Sequence, residues 1–153
     1  MSVRDFVTNP RNFLDINRAI RRALRSRRRE SPTARRILLV EEEAWSRKTL
    51  ARILEHAGYE VVPAGSGSQA VAILGHQFVD LVVADVALAH ADGVELVRRL
   101  HDEQPALRIV AIASQQSSER ELEATFAVGA TRTVTAPFEG RRLVDAIRDL
   151  LGR

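Results

Sequence analysis

Short apolar runs alternate with helical patterns along most of this chain. Five runs are bounded by turn or charged residues and predict β-strands. They are Ile37–Val40, Tyr59–Val62, Leu81–Ala84, Arg108–Ala113 and Thr131–Thr135. Apolar residues recur at helical spacing between them and after the last one. The predicted helices are Trp45–His56, one capped by Ser66 or Ser68, Gly93–Leu100, Ser118–Val128 and Glu139–Leu151. Five such β-α units predict a doubly wound, five-stranded parallel sheet of the α/β class.

The first 35 residues follow a different pattern and form a separate arm and linker ahead of the domain at 36–153. Asn9 and Pro10 predict a helix start, and Ser31-Pro32 predicts its end after about Arg29. An apolar face carries Phe13, Ile16, Ile20, Ala23 and Leu24. Arginines dominate the opposite face, at positions 18, 21, 22, 25, 28 and 29, while Leu14 and Arg27 are exceptions that each lie on the wrong face. The arm is therefore predicted to be a basic amphipathic helix.

Charge separates the two parts of the chain. The segment through Arg36 has eleven arginines against three acids, a net charge of +8, and the remainder has twelve basic and seventeen acidic residues, a net charge of −5. Such a basic arm is expected to meet an anionic partner. Its candidate contact residues are Arg18, Arg21, Arg22 and Arg25.

Several partners for the arm stay open at this point. Its apolar face can pack on its own domain or on a second copy, which would give a homodimer. A partner-protein helix or an anionic lipid surface also fits this pattern. Nucleic acid is less favoured, because only Phe6 and Phe13 supply aromatic rings in the arm.

Composition excludes some classes of protein. The hydrophobic fraction of 45% and charged fraction of 28% are typical of a globular protein. The absence of cysteine excludes disulfides and thiol chemistry. No apolar run is long enough for a membrane span or a signal-peptide core, so a cytoplasmic location is expected.

Polar residues follow the predicted strands where their carboxyl ends should meet, at an edge we call the rim. Glu41 and Glu42 follow the first strand, Asp85 ends the third, and Ser114 follows the fourth. Ligands of parallel α/β sheets bind at this edge. Carboxylate oxygens suit Mg²⁺, although acids at strand ends are often only solvated loop residues.

Residues from about Arg36 to Arg153 resemble the receiver domain of two-component response regulators. The matching segments are Ile37-Leu-Leu-Val-Glu-Glu-Glu43, Gly58-Tyr-Glu-Val61, Asp80-Leu-Val-Val-Ala-Asp85, Asp92-Gly93, Ile109-Val-Ala-Ile-Ala-Ser114, Gly129-Ala130 and Pro137-Phe138. The resemblance implies a flavodoxin-like receiver fold that takes a phosphoryl group from a histidine kinase. It implies Asp85 as phospho-acceptor, and Mg²⁺ held by Glu41, Glu42, Asp85 and the Ala87 backbone carbonyl. Ser114 matches the hydroxyl that contacts the phosphoryl group.

Three positions depart from the family pattern. Ala136 stands where the family has a near-invariant lysine, and alanine cannot pair with a phosphoryl oxygen. Glu42 replaces the usual metal-binding aspartate, which should weaken Mg²⁺ binding. Thr133 replaces the switch aromatic. These changes indicate an atypical or pseudo-receiver that signals mainly through protein contacts, and Arg132 or Arg120 is a hypothetical substitute cation.

The resemblance also implies a partner surface on the fourth helix, fifth strand and fifth helix. Its candidate residues are Arg120, Glu121, Arg132, Arg141 and Arg142. The partner is expected to be a histidine kinase or another signalling protein. Because no output domain follows Arg153, output is expected through the arm, through partners, or both.

Two enzymatic alternatives compete with this interpretation. Gly65-Ser-Gly67-Ser-Gln-Ala70, with Asp85 at the end of the next strand, mimics a dinucleotide-binding fingerprint. Acid-base hydrolysis is weaker, because the four histidines are scattered and Ser114 has no adjacent base. The chain is therefore expected not to be an enzyme.

Overall fold

The computed structural model describes residues 34–86, 93–114, 117–136 and 138–152. Strands and helices alternate through them in the predicted order. The strands are β1 (Arg36–Val40), β2 (Glu60–Ala64), β3 (Leu81–Asp85), β4 (Arg108–Ser114) and β5 (Arg132–Ala136). The helices are α1 (Ala44–His56), α2 (Gly67–His76), α3 (Gly93–Glu103), α4 (Glu119–Ala127) and α5 (Gly140–Leu151).

All five strands are parallel, in the order β2-β1-β3-β4-β5. The central strands are almost wholly apolar because helices cover both faces of the sheet. One face packs under α2 and α3, with Leu74, Val97 and Leu100 at its centre. The other packs under α1 and α5, with Leu54, Leu143 and Ile147. The predicted doubly wound α/β fold is confirmed.

Local signals fix several helix ends. Ser66, not Ser68, caps α2 by accepting a hydrogen bond from the Gln69 N–H at 3.1 Å. Ser118 and Glu121 form a capping box at the start of α4. Gly58 and Gly129, predicted as helix stops, have φ of +95° and +129°, a region that favours glycine.

Some boundaries differ from the sequence-based prediction. The second strand runs over Glu60–Ala64 rather than Tyr59–Val62, and it includes Pro63. Proline is tolerated there because β2 is an edge strand. Helix α3 extends to Glu103, beyond the predicted end at Leu100.

The start of β1 is held by a backbone hydrogen bond and an ion pair at the amino ends of the strands. The Arg36 N–H donates to Asp80 Oδ2 at 2.6 Å, and the Arg36 guanidinium contacts Glu60 Oε1 at 3.0 Å.

The arm helix predicted over residues 9–29 lies outside the described residues, so the division at residue 35 stays a prediction. No helix in the described ranges is long and apolar enough to cross a membrane.

Candidate functional site

An acid pair lies at the centre of the rim. Strands β1 and β3 pair Val40 with Ala84, so the next residues, Glu41 and Asp85, are neighbours. The Glu41 side chain hydrogen-bonds Asp85. Glu41 is only 4% exposed, whereas Asp85 is half-buried. The fold thus brings the predicted phospho-acceptor into contact with the first predicted metal ligand.

Burial is the main cause that raises the pKa of Glu41 from 4.5 to about 8, and the hydrogen bond to Asp85 raises it further. The Glu43 N–H opposes this by donating to Glu41 Oε1 at 3.0 Å. Two carboxylates in contact repel each other when both are ionised. At neutral pH, Glu41 is therefore protonated and can donate its hydrogen bond to Asp85.

The other predicted metal ligands do not complete this pair. Glu42 is exposed, and the Ala87 carbonyl lies outside the described residues. Within the described ranges, no three acidic or histidine side chains form a metal-holding group. Glu41 and Asp85 alone still fit Mg²⁺, which is often bound through one or two carboxylates with water as the remaining ligands.

Two further residues, Glu43 and Arg47, brace the loop that carries the acids. The sequence analysis identified neither of them. Glu43 caps α1 by accepting from the Trp45 and Ser46 N–H groups at 2.9 and 2.6 Å, and these bonds lower its pKa. Arg47 Nη1 donates to the Glu41 carbonyl at 2.9 Å and to the Glu42 carbonyl at 3.3 Å. An acid just before a helix indicates a cap, but no sequence signal marks the carbonyl partners of Arg47.

Two serines form a compact turn at the end of β4. The Ser114 N–H donates to Ser117 Oγ at 3.2 Å, and the Ser117 N–H donates to the Ser114 carbonyl at 3.1 Å. Their hydroxyl oxygens lie 3.4 Å apart. Ser117 was not predicted as a site residue, although a nearby serine is an ordinary turn signal. It joins Ser114 to give the rim a second hydroxyl.

Ala136 occupies the position beside Ser114. The parallel register of β4 and β5 pairs these two residues directly. A methyl group therefore stands where the family lysine would bring a cation. Thr133 lies farther back on β5, half-buried and paired with Ala111.

The hypothesis that Arg132 replaces the missing lysine is wrong. Arg132 begins β5, four residues before Ala136, which is about 13 Å along a strand. Its Nη1 pairs with Asp149 Oδ2 at 2.9 Å. Arg120 is exposed in the first turn of α4. Arg141 is exposed on α5, with Nε 3.9 Å from Asp145 Oδ2.

The dinucleotide-binding alternative is also wrong. In the matching fold the acid-bearing strand neighbours the glycine-rich loop, but here β1 separates β2 from β3. The Gly65 N–H is already bound to Gln69 Oε1 at 2.6 Å. A Cβ at Gly67 would lie 2.9 Å from Leu96 Cδ1, so this glycine serves helix packing.

Residues 37–148 match the family model of the response regulator receiver domain. The chain belongs to this family. The resemblance inferred from the rim motifs is thereby confirmed for the family. Receiver domains generally bind Mg²⁺ and interact with histidine kinases and output domains.

Relatives of this receiver chain include regulators of transcription. It is 34% identical over 122 residues to the phosphate regulon transcriptional regulatory protein PhoB of Pseudomonas aeruginosa, covering 76% of this chain and 52% of that protein. It is 30% identical to the probable transcriptional regulatory protein TcrX of Mycobacterium tuberculosis, covering 76% and 50%. The chain therefore spans about half the length of these curated relatives.

Solved structures support the same fold. A CheY-like receiver domain protein from Methanospirillum hungatei matches with a TM-score of 0.73 and 25% identity, covering 78% of this chain and 94% of that one. Chemotaxis protein CheY4 of Vibrio cholerae matches with a TM-score of 0.71 and 26% identity, covering 78% and 100%. The flavodoxin-like receiver fold is thus confirmed.

Proposed function

We propose that this receiver is atypical: it keeps the phospho-acceptor Asp85 but stabilises a phosphoryl group weakly, and it signals mainly through protein contacts. The pairing of Ser114 with Ala136 carries this proposal. A phosphoryl group on Asp85 adds negative charge that needs positioned donors and cations. The rim supplies hydroxyls at Ser114 and Ser117, but alanine at the lysine position supplies no charge.

Glu41 and Asp85 are the residues that would hold Mg²⁺. The ion would neutralise charge on the phosphoryl group and on the acid pair. Glu42 is exposed and one methylene longer than the family aspartate, so we expect weak affinity. The raised pKa of Glu41 opposes metal binding further, because a ligating carboxylate must first lose its proton.

A conventional, Mg²⁺-dependent receiver phosphorylated by a histidine kinase is the second candidate. The contact between Glu41 and Asp85 favours it, because this pair is half of the expected metal and acceptor chemistry. The hydroxyl of Ser114 at the end of β4 favours it as well. The two candidates differ in whether Asp85 is modified when the partner binds.

An adaptor that acts through its basic arm is a candidate of a different class. The +8 charge of the segment through Arg36 favours it. In that case, deletion of residues 1–29 abolishes partner binding while the receiver domain stays folded. None of these candidates makes the chain an enzyme, and all are compatible with a cytoplasmic location.

Trp45 fluorescence offers a test of the acceptor pocket. The Trp45 side chain is 72% exposed, and the Trp45 backbone N–H donates to the carboxylate of Glu43, two residues after Glu41. Mg²⁺ and then beryllofluoride, a phosphoryl mimic, are titrated into the full chain. The proposal expects weak binding of both, with millimolar rather than micromolar midpoints.

The Asp85→Asn variant is the control, and equilibrium dialysis with beryllofluoride checks for a silent fluorophore. Tight saturation that Asp85→Asn abolishes would establish the conventional receiver and overturn the proposal. Weak binding in both assays, with a partner captured equally well by wild type and Asp85→Asn, supports it.

A further inference from the structure

Helix α4 buries few of its residues and leaves a large aromatic side chain exposed. Thr125 is its only buried residue, whereas α5 buries five. Phe126 on α4 is 47% exposed, and Leu122, one turn earlier, is half-buried. A helix of a globular domain normally covers its large apolar residues. Leu122 and Phe126 therefore form an incompletely covered apolar strip.

Two acids border this strip. Glu119 and Glu123 lie about one helical turn apart. They precede Phe126 by seven and three residues, and these spacings place both acids beside Phe126 on the helix surface. Both are exposed, and neither makes an ion pair with another described residue. Helix α4 thus presents an apolar strip beside an acidic strip, which we call the α4 face.

We propose that the basic arm of the same chain docks on the α4 face. Its predicted helix has the matching order when it runs antiparallel to α4: the apolar face ends at Leu24, and Arg21 and Arg28 lie about 40–60° farther around. Apolar residues would then meet Leu122 and Phe126, and these arginines would meet Glu119 and Glu123. The pairing explains why a segment of net charge +8 is attached to an acidic domain.

The fold allows this contact within one chain. Six residues lie between Arg29 and Arg36, and the seven Cα-to-Cα steps can span up to about 23 Å. Strand β1 is two strands from β4, which is about 10 Å across the sheet. A docked arm covers the α4 face. A partner that binds the arm or the α4 face must therefore compete with this intramolecular contact.

Hydrogen exchange on the full chain tests the docking. The Glu119→Gln/Glu123→Gln variant should exchange roughly three- to tenfold faster in the arm and in α4, as expected for the loss of two exposed ion pairs. Glu55→Gln/Asp102→Asn removes the same charge from exposed positions on α1 and α3 and should leave both segments unchanged. Salt should accelerate exchange in wild type much more than in the α4 variant.

A charge swap separates docking from loss of α4 stability, because acids in the first turn also stabilise a helix. The Glu119→Arg/Glu123→Arg variant and the Arg21→Glu/Arg28→Glu variant should each lose protection from hydrogen exchange in the arm. The protein that combines all four substitutions should regain this protection. Phe126→Ala should also lose it. An arm that is unprotected in wild type, or a swap without recovery, would overturn the proposal. Protection that rises with protein concentration would also overturn it, by showing docking on a second copy.

Discussion

Ala136 lies directly beside Ser114 in the parallel register of β4 and β5. The lysine expected at this position would place an ammonium group next to the Ser114 hydroxyl, the predicted contact for a phosphoryl oxygen. With alanine there, the rim keeps Asp85, the predicted acceptor, and its hydroxyls but lacks that cation. Strand Arg132–Ala136 does not replace it, because its arginine is at the opposite end and pairs with Asp149.

Restoring the lysine should strengthen binding of a phosphoryl mimic. Ala136→Lys adds a charge-assisted hydrogen bond, which contributes about 1.5–3 kcal/mol, so beryllofluoride should bind roughly 10- to 100-fold more tightly in the presence of Mg²⁺. Isothermal titration measures the change. Ala72→Lys, at an exposed position on α2, is the matched control and should have no effect. Equal affinity in Ala136→Lys and wild type would show that the missing lysine is not the limiting feature.

Stability of the metal-free protein should fall as pH rises because of Glu41. Its pKa is about 8 in the folded protein and 4.5 as a free group, so the folded state binds the proton more tightly. The contribution is complete below pH 4.5 and disappears as pH rises through about 8. Urea unfolding in EDTA between these values should show a loss on the order of a few kcal/mol, which Glu41→Gln removes.

Glu43→Gln is the comparison variant, because Glu43 makes the free energy of unfolding change with pH in the opposite direction from Glu41. The backbone bonds of Glu43 lower its pKa, so its stabilising effect is present at neutral pH and disappears on acidification below the ordinary carboxyl pKa. A Glu41→Gln variant that keeps the wild-type slope between pH 4.5 and 8 would contradict the raised pKa of Glu41.

Ser117 should act by positioning Ser114 rather than by stabilising the domain. Ser117→Ala removes the acceptor of the Ser114 N–H, a bond worth about 0.5–1.5 kcal/mol, so beryllofluoride affinity should fall roughly two- to tenfold. Ser117→Thr should retain the affinity, because it keeps the hydroxyl. In a Ser114→Ala background, Ser117→Ala should have little further effect. Additive losses in the double variant would indicate that the two serines act independently.

Two glycines with positive φ should differ in their tolerance of alanine. A Cβ at Gly58 meets nothing within 4 Å, so Gly58→Ala should cost only about 1 kcal/mol of backbone strain. A Cβ at Gly129 would lie 2.5 Å from His101 Cγ, and φ there is +129°. Gly129→Ala should therefore lose about 3 kcal/mol or more. Urea unfolding compares the two, and equal losses would mean that the His101 ring moves aside freely.

Much of the fold is determined by the sequence alone, because its signals are local. Apolar runs place the five strands, helical spacing places the helices, and Gly58 and Gly129 end two of them. Since parallel strands align their carboxyl ends, Glu41, Asp85 and Ser114 were expected at one edge of the sheet. The loss of the lysine was visible as soon as the family motif had been aligned with Ala136.

Tertiary structure decided everything that depends on which strands and side chains become neighbours. The order β2-β1-β3-β4-β5 sets Asp85 beside Glu41 and away from the glycine-rich loop. Register puts Arg132 at the wrong end of β5, and packing leaves Phe126 exposed on α4. Burial next to another carboxyl group, which no local pattern specifies, raises the pKa of Glu41. The sequence alone thus determined the elements and the residues of the rim, while non-local contacts determined their chemistry.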